Sequence, residues 1–527
     1  MTNTIADIET SDLIVVTGSN TTENHPVLST FIKRAALKGK KIYVIDPRRI
    51  KLTDLAVKWL RPNPGTDIAW LNGLMHVIIK EDLHDKTFIA DRTENFEAFR
   101  DVVASYTPER VEEITGIAAQ DIIDLAREFA KAPAAAICYC MGITQHTCGT
   151  DNVKSLANLS MLCGHLGKPG GGVNPLRGQN NVQGACDMGG LPNVFPAYQA
   201  VTSDEARQSY EKAWHVTGMS AKPGLPVTEM IEKAYEGEFK SLYIMGENPM
   251  VSDPDLNHAE KAFSNLEFLV VQDIFETETT ALADVVFPAC CWAEKDGTFA
   301  NTERRIQRVR KAVEPPEGAR LDWEILCEIG RRMGYDMQYE NSREIYEEIC
   351  AVTPSYRGIT WDRIEKVGIH WPCPDESHPG TPILHTTQFT RGKGLFHAID
   401  HQPPAEQPDE EYPYVLTTGR VLYHYHTRTM TGRTEGLNEL APECFVEISR
   451  NDAKKLGLAT GELVNVASRR GRVSAKLQVS HKAVDGTVFM PFHFAQAAAN
   501  RLTNAKLDPV AKIPELKVCA INIEPAA

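Results

Sequence analysis

The sequence predicts a multidomain α/β chain, with two related dinucleotide-binding α/β units and a mixed β-barrel at its carboxyl end. Three observations predict it. Residues 12–17, DLIVVT, close on Gly18-Ser19-Asn20, and a helical stretch over about 25–38 precedes a second apolar run, KIYVI at 41–45. The plan recurs further along, where SLYIM at 241–245 closes on Gly246-Glu247-Asn248 and 267–271 closes on Gln272-Asp273. Beyond Tyr412 the pattern changes to short strand-like runs separated by glycine turns.

Strand, loop, helix and strand in that order build a parallel unit with a binding crevice at the carboxyl ends of its strands. Asp46 follows Gly18 by 28 residues and Asp273 follows Gly246 by 27. A carboxylate there accepts hydrogen bonds from a nucleotide's sugar or base. Each aspartate leads to a similar apolar segment, LAVKWL around Ala56 and LADVVFP around Ala283, and then to a loop with glycine and acidic residues. Repeated spacing points to two nucleotide-binding surfaces and an extended ligand with two nucleotide ends. The plainer alternative is that parallel sheets resemble one another and these loops only turn the chain. GxGxxG is missing, so NAD is not specifically indicated. Two helices are predicted over 108–130 with their junction at Thr115-Gly116, and a third over 151–162 packs Leu156, Leu159 and Leu162 inward.

The length of 527 residues suggests three to five domains, divided as 1–179, 180–315, 316–411 and 412–527. A formal charge of -14 argues against a nucleic-acid partner, although the cluster Arg304, Arg305, Arg308 and Arg310 is able to receive phosphates. There is no run of eighteen apolar residues and no signal-peptide pattern at the start, so direct membrane insertion is not expected and a cytoplasmic location is. The twelve cysteines include no CxxC pair. They read as small buried hydrophobes in a reducing compartment rather than as a complete iron–sulfur site.

The glycine-rich run at 165–196, HLGKPGGGVNPLRGQNNVQGACDMGGLPNVFP, is the candidate substrate loop. Arg177, Gln179, Asn180, Asn181 and Gln183 crowd hydrogen-bonding groups into it. Glycine lets backbone approach a ligand, and side-chain amides read fixed donors and acceptors. A structural loop stitched by its own amides is the competing reading. Arg177 carries the strongest expectation, because a guanidinium fork holds two oxygens of a small carboxylate and stays charged after losing water. It is a poor base for the same reason, so its expected task is to orient an anion and steady charge during transfer. A salt-bridge role is the alternative for any single arginine.

Toward the carboxyl end, helices are expected over 320–370, with Trp323, Ile325, Leu326 and Tyr346 facing a core, and 372–411 reads as a connection between domains. The runs YVLTTGR, CFVEIS, LVNVASR, GRVSAKLQVS and GTVFMPFHF supply barrel strands. Gly419, Arg420, His424, His426 and Arg428 gather at a strand-to-loop boundary, suited to a phosphate. No cysteine or carboxylate pair completes a zinc site with the two histidines, and no metal ligand is assigned.

The stretch VNPLRGQNNVQGACDMG, with MGITQHTCG upstream and GENP and VVQDIF downstream, resembles the molybdopterin oxidoreductase superfamily, and within it the catalytic subunits of formate dehydrogenases. The likeness runs through nearly the whole chain. It implies molybdenum or tungsten held by two molybdopterin guanine dinucleotides. Gly18, Asn20, Asp46, Arg48 and Asp67 would then serve one dinucleotide, and Gly246, Glu247, Asn248, Gln272 and Asp273 the other. Met141, Gly142 and Gln145 would lie near the pterins. Asn500, Thr503, Asp508 and Lys512 offer a further contact region, and local capping is the equal alternative for them. Arg177 matches an arginine that contacts formate, with Gln179 beside it. The implied reaction is oxidation of formate to carbon dioxide, reversible in principle, with hydride passing to the metal's sulfido group and electrons leaving through iron–sulfur partners.

One departure matters. Relatives of this kind begin with a 4Fe-4S domain and a cysteine or selenocysteine that ligates the metal, and no cysteine here matches that ligand. Either the reading frame starts downstream of a selenocysteine codon, or a companion chain supplies cluster and ligand. On either account the chain alone is expected to be inactive. The competing functions are an oxyanion reductase of the same superfamily and a non-catalytic cofactor-binding subunit.

Overall fold

The computed structural model describes residues 1–526. Contacts divide the chain into two compact units. The first comprises Met1–Leu176, Val251–Asn257 and the chain from Ile383 onward; the second comprises Arg177–Met250 and His258–Pro382.

The first unit opens on a five-stranded parallel sheet made of β1 (Leu13–Thr17), β2 (Lys41–Ile45), β3 (Lys58–Leu60), β4 (Ala135–Tyr139) and β5 (Val173–Pro175), in the order β3-β2-β1-β4-β5. Every residue of β1 and β4 is buried, as expected of parallel strands covered on both faces. One face packs on α1 (Pro26–Leu37), through Leu28, Ile32 and Ala35. The other packs on α2 (Asp67–Lys80), which is buried almost all round and held in turn by α3 (Pro108–Thr115), α4 (Ala119–Lys131) and α5 (Gly149–Leu162). An apolar surface that wraps a whole helix needs neighbours on every side. The junction at Thr115-Gly116 is as expected, with Gly116 ending α3 in the left-handed region, and Leu156, Leu159 and Leu162 face the core.

The second unit has a three-stranded parallel sheet, β6 (Ser241–Met245), β7 (Phe268–Asp273) and β8 (Val285–Pro288), with β7 central. An antiparallel hairpin follows, β9 (Gly297–Ala300) with β10 (Arg305–Val309), and Ile369–His370 pairs along its edge. Before the sheet, α6 (Val182–Asp187) rises from the glycine-rich loop. After the hairpin come α7 (Asp322–Arg332) and α8 (Ser342–Val352). Here two expectations are corrected. Residues beyond Val352 form turns and the short edge strand rather than further helix, and Leu326 is exposed because its neighbours Ile325 and Cys327 take the buried face of α7; Trp323 is only partly covered, whereas Tyr346 is buried as expected.

The barrel belongs to the first unit. Strands β11 (Tyr414–Gly419), β12 (Phe445–Ile448), β13 (Leu463–Ala467), β14 (Arg472–Val479), β15 (Thr487–Pro491) and β16 (Cys519–Pro525) close in the order β11-β15-β12-β14-β13-β16. Pairing is mixed, parallel for β11 with β15 and antiparallel for β13 with β14. Alternation along β14 buries Val473, Ala475 and Leu477 and leaves the residues between them exposed. The five expected strands are present; the sixth, β16, completes the closure. Among the described residues, no helix is long and apolar enough to cross a membrane.

Candidate functional sites

In the first unit the carboxyl ends of β1 and β4 meet at two glycines. Gly142 N–H donates to Gly18 O at 3.0 Å. A Cβ on Gly142 would lie 2.6 Å from Gly18 Cα, and one on Gly18 would lie 2.7 Å from the Gly142 carbonyl carbon. Only backbone without side chains closes this contact. Beside it, Ser19 Oγ, Asn20 Oδ1, Thr21 Oγ1 and Asn24 Oδ1 are buried with no hydrogen-bond partner among the described residues. Buried polar atoms are nearly always paired, so four orphans in one turn fit a polar ligand that supplies the partners.

Charge at this crevice is mixed. Burial pushes the Asp46 carboxyl up to about 6, against the lowering effect of Arg48, and burial likewise pushes Asp67 up to about 6. Burial lowers Lys517 to about 8, with Arg420 adding to the effect, and Lys517 Nζ donates to Thr418 O at 2.6 Å. Burial and the nearby Arg420 cation hold His25 and His426 at about 4. These imidazoles are therefore neutral near pH 7, leaving Arg420 and Lys517 as cations able to meet phosphate.

Other expected cofactor residues are engaged within the protein. Arg48 pairs with buried Glu447 of β12 at 2.8 Å and stacks 3.4 Å over the Phe489 ring, joining the sheet to the barrel. His424 is buried, with Nε2 2.7 Å from Ala441 O, and Arg428 donates to Asn438 at 2.6 Å, so both stitch the loop after Gly419. Asn500 Nδ2 donates to Val251 O and Ser252 O, and Thr503 donates to Asn500 O. Asp508 caps Thr150. Met141 and Gln145 bracket the helical turn Met141–Thr144 beside the paired glycines, and Lys512 lies in a turn in the left-handed region.

In the second unit Gly246 and Glu247 are exposed at the end of β6, where Gly246 N–H donates to Gln272 O at 2.8 Å. Asn248 is buried between Glu278 and Thr279. Asp273 Oδ1 accepts from Ile274 N. The Gln272 side chain is spent on Tyr243 and Asp322, and its backbone carbonyl accepts from Gly246, so this buried residue is engaged within the sheet.

Arg177 lies with the hairpin in the same unit. Its N–H donates to Thr302 Oγ1 at 3.0 Å, and Asn181, in the left-handed region, accepts from Ala300 N at 2.9 Å. Loop and hairpin flank a half-open cavity of about 510 Å³ that takes in Arg177, Gln179, Asn180, Asn181 and Gln183 from one side and Arg308 and Arg310 from the other. Among the described residues, no aspartate or glutamate lines it. Arg177 Nε is buried without a partner. Arg304, expected among phosphate-receiving arginines, is instead 2% exposed and donates to the carbonyls of Trp371, Thr381 and Pro382.

Behind the loop, buried Asp187 at the end of α6 accepts four hydrogen bonds, from Gln183 Nε2 (2.8 Å), Tyr198 Oη (2.8 Å), Tyr356 Oη (2.5 Å) and Trp371 Nε1 (2.8 Å). Sequence reasoning missed this anchor, along with Ser19, Thr21, Asn24 and Lys517. A polar run directly after Gly18 was the available signal for the first three. Among the described residues, no group of three histidine, cysteine, aspartate or glutamate side chains converges as a metal site.

Two family models match the chain: "Molybdopterin oxidoreductase" over residues 1–332 and "Molydopterin dinucleotide binding domain" over 414–520. The F420-dependent formate dehydrogenase subunit alpha of Methanocaldococcus jannaschii is 52% identical over 528 residues, 99% of this chain and 78% of that protein. Formate dehydrogenase H of Escherichia coli is 43% identical, with 100% of this chain and 74% of that protein covered. Acetylene hydratase from Pelobacter acetylenicus has a similar fold, with a TM-score of 0.80 at 20% identity, covering 99% of this chain and 79% of that one.

Proposed function

The chain belongs to the molybdopterin oxidoreductase family, and from that premise we propose that it is the catalytic subunit of a formate dehydrogenase. It oxidises formate to carbon dioxide at a molybdenum or tungsten centre held by two molybdopterin guanine dinucleotides, and passes electrons to iron–sulfur partners. The observation that carries this reading is the cavity in which Arg177 faces neutral amides and no carboxylate. A site for a small anion needs fixed positive charge and no competing negative charge. Relatives named as formate dehydrogenases, at 52% and 43% identity, support the choice of substrate.

The residues present fit the cofactor. The orphaned set Ser19, Asn20, Thr21 and Asn24 and the side-chain-free contact of Gly18 with Gly142 suit one dinucleotide, with Asp46 accepting from its sugar or base and Arg420 and Lys517 facing phosphate. Gly246, Glu247, Asn248, Gln272 and Asp273 form the equivalent strand-end cradle for the other. When bound, the cofactor supplies a metal that takes up two electrons. Arg177 binds the formate oxygens in its fork, and Gln179 and its neighbouring amides fix the carboxylate plane so that the C–H bond keeps one direction. Because the guanidinium stays charged, it neutralises formate without giving up a proton. A cytoplasmic site of action is part of this reading.

The test uses the native, cofactor-loaded enzyme. Formate should reduce an artificial electron acceptor, and metal analysis should find molybdenum or tungsten with two guanine dinucleotides per chain. Turnover with nitrate and none with formate would overturn the substrate assignment.

A further inference from the structure

Space and charge in the cavity of the second unit exceed what one small anion uses. Its volume is about 510 Å³, whereas a water molecule's share of liquid volume is about 30 Å³. A three-atom carboxylate held by Arg177 therefore leaves most of the cavity free. The lining also carries two more guanidinium groups, Arg308 and Arg310, and no acidic residue.

These two arginines are placed by the hairpin. Arg308 stands opposite Thr298 in the β9–β10 register, and Arg310 follows two positions later, whereas Arg177 is tied to Thr302 at the hairpin's turn. The arginines thus mark two separate stations along one ribbon, at its turn and along its second strand. Strand residues advance about 3.3 Å each, so Arg308 and Arg310 lie on the order of 10–20 Å along the strand from the turn.

Arg308 is built rather than draped on the surface. Its side chain is 9% exposed, its guanidinium stacks 3.5 Å from the centre of the Trp361 ring, and its Nε has no acceptor among the described residues. Glu365 pairs with both Arg308 (2.8 Å) and Arg310 (2.9 Å) from outside the lining. One carboxylate against two guanidinium groups leaves one positive charge over. A stacked, largely buried guanidinium with one spare donor, in a pair that carries surplus charge, is suited to a planar oxyanion.

We infer that Arg308 and Arg310 form a second subsite for a small monovalent oxyanion, so that this cavity takes two such anions at once, one at Arg177 and one at the arginine pair. The inference deepens the formate reading and rests on it for the identity of the natural ligand: the second station would stage a small carboxylate on its way to Arg177.

Counting bound anions in the oxidised holoenzyme tests it, with no electron donor present and nitrate, planar and monovalent, as the probe. Calorimetric titration at low ionic strength should find two nitrates per chain in the wild type. The double variant Arg308→Gln/Arg310→Gln should keep only the one that Arg177→Ala removes, and Arg308→Lys should keep two with the second weakened. A count of one in the wild type, or two in the folded double variant, overturns the subsite. If the double variant does not fold, the count in the wild type and in Arg310→Gln alone decides. Formate kinetics provide a separate arm, in which Arg308→Gln raises KM about 3- to 10-fold with kcat kept, and flattens the salt dependence of kcat/KM. Absence of formate turnover in the wild type would remove the formate reading, and the nitrate count would still decide whether the subsite exists.

Discussion

The hydroxyl of Tyr356 donates to the buried carboxylate of Asp187 at 2.5 Å, across 169 residues of sequence. With Trp371 on the same oxygen and Tyr198 and Gln183 on the other, the turn region after α8 grips the end of the helix that follows Arg177. The loop's position is thus set from behind, by Tyr198, Tyr356 and Trp371 outside the cavity lining, with Gln183 bridging from the lining to Asp187. Tyr356→Phe should cost about 1–3 kcal/mol, and Asp187→Asn on the order of 2–4 kcal/mol, because the amide turns its own donors toward donors. Urea titration followed by tryptophan emission checks both. A wild-type midpoint for Asp187→Asn would show that the four bonds do not anchor the loop.

Arg177→Ala should lower kcat/KM for formate about 10²- to 10³-fold while the cofactor content stays near that of the wild type. Arg177→Lys should recover little, since an ammonium cannot offer two parallel donors. Steady-state kinetics beside guanine-dinucleotide assay separates the two quantities. A normal kcat/KM in the alanine variant would remove the site assignment.

Gly142→Ala puts a methyl 2.6 Å from Gly18 Cα and 2.7 Å from its carbonyl oxygen. Forced apart, the two strand ends should cost the unit about 1–3 kcal/mol and release one of the two dinucleotides. Dinucleotide released on denaturation, counted per chain, reads the loss.

The raised carboxyl of Asp46 makes two pH effects of opposite sign. Its value in the folded chain is about 6 against an ordinary 3.8, so between roughly pH 4 and 6 the folded state keeps a proton that the unfolded state gives up, and the cofactor-free chain loses stability as pH rises. Asp67 contributes in the same direction. Dinucleotide donors prefer the charged carboxylate, so cofactor retention should improve over the same interval and fail as pH falls through about 6. Asp46→Asn should reduce both slopes, which denaturation and equilibrium dialysis at stepped pH would show.

Breaking the pair between Arg48 and Glu447 strands a largely buried charge. Glu447→Gln should destabilise the first unit by about 3–5 kcal/mol, visible as a lower urea midpoint.

Local patterns were readable in the sequence because local chemistry sets them. The runs of β1 and β2 are apolar enough to read as strands of a covered sheet, and the barrel strands alternate as a half-exposed sheet must. The glycine-rich loop was legible for the same reason, since side-chain amides beside Arg177 stand out against ordinary turn composition. Long-range partners were not. Nothing near Arg48 in sequence announces Glu447, 399 residues away, and a cluster of arginines does not say which member is spent on carbonyls, as Arg304 is, and which faces a cavity, as Arg308 does. The expectation misplaced Leu326 because α7 has one buried side, taken by Ile325 and Cys327, and Leu326 lies off it.

The return of the barrel to the first unit has a consequence for synthesis. A nascent chain leaves the ribosome amino end first, and domains tend to fold as they emerge. The opening sheet is translated by Pro175, yet its partner barrel is not closed until β16 has appeared, after all of the second unit. Of these two units, the one with the earlier residues is therefore finished last, and Arg48 waits for Glu447 and Phe489 to be made before it has its ion pair and its ring.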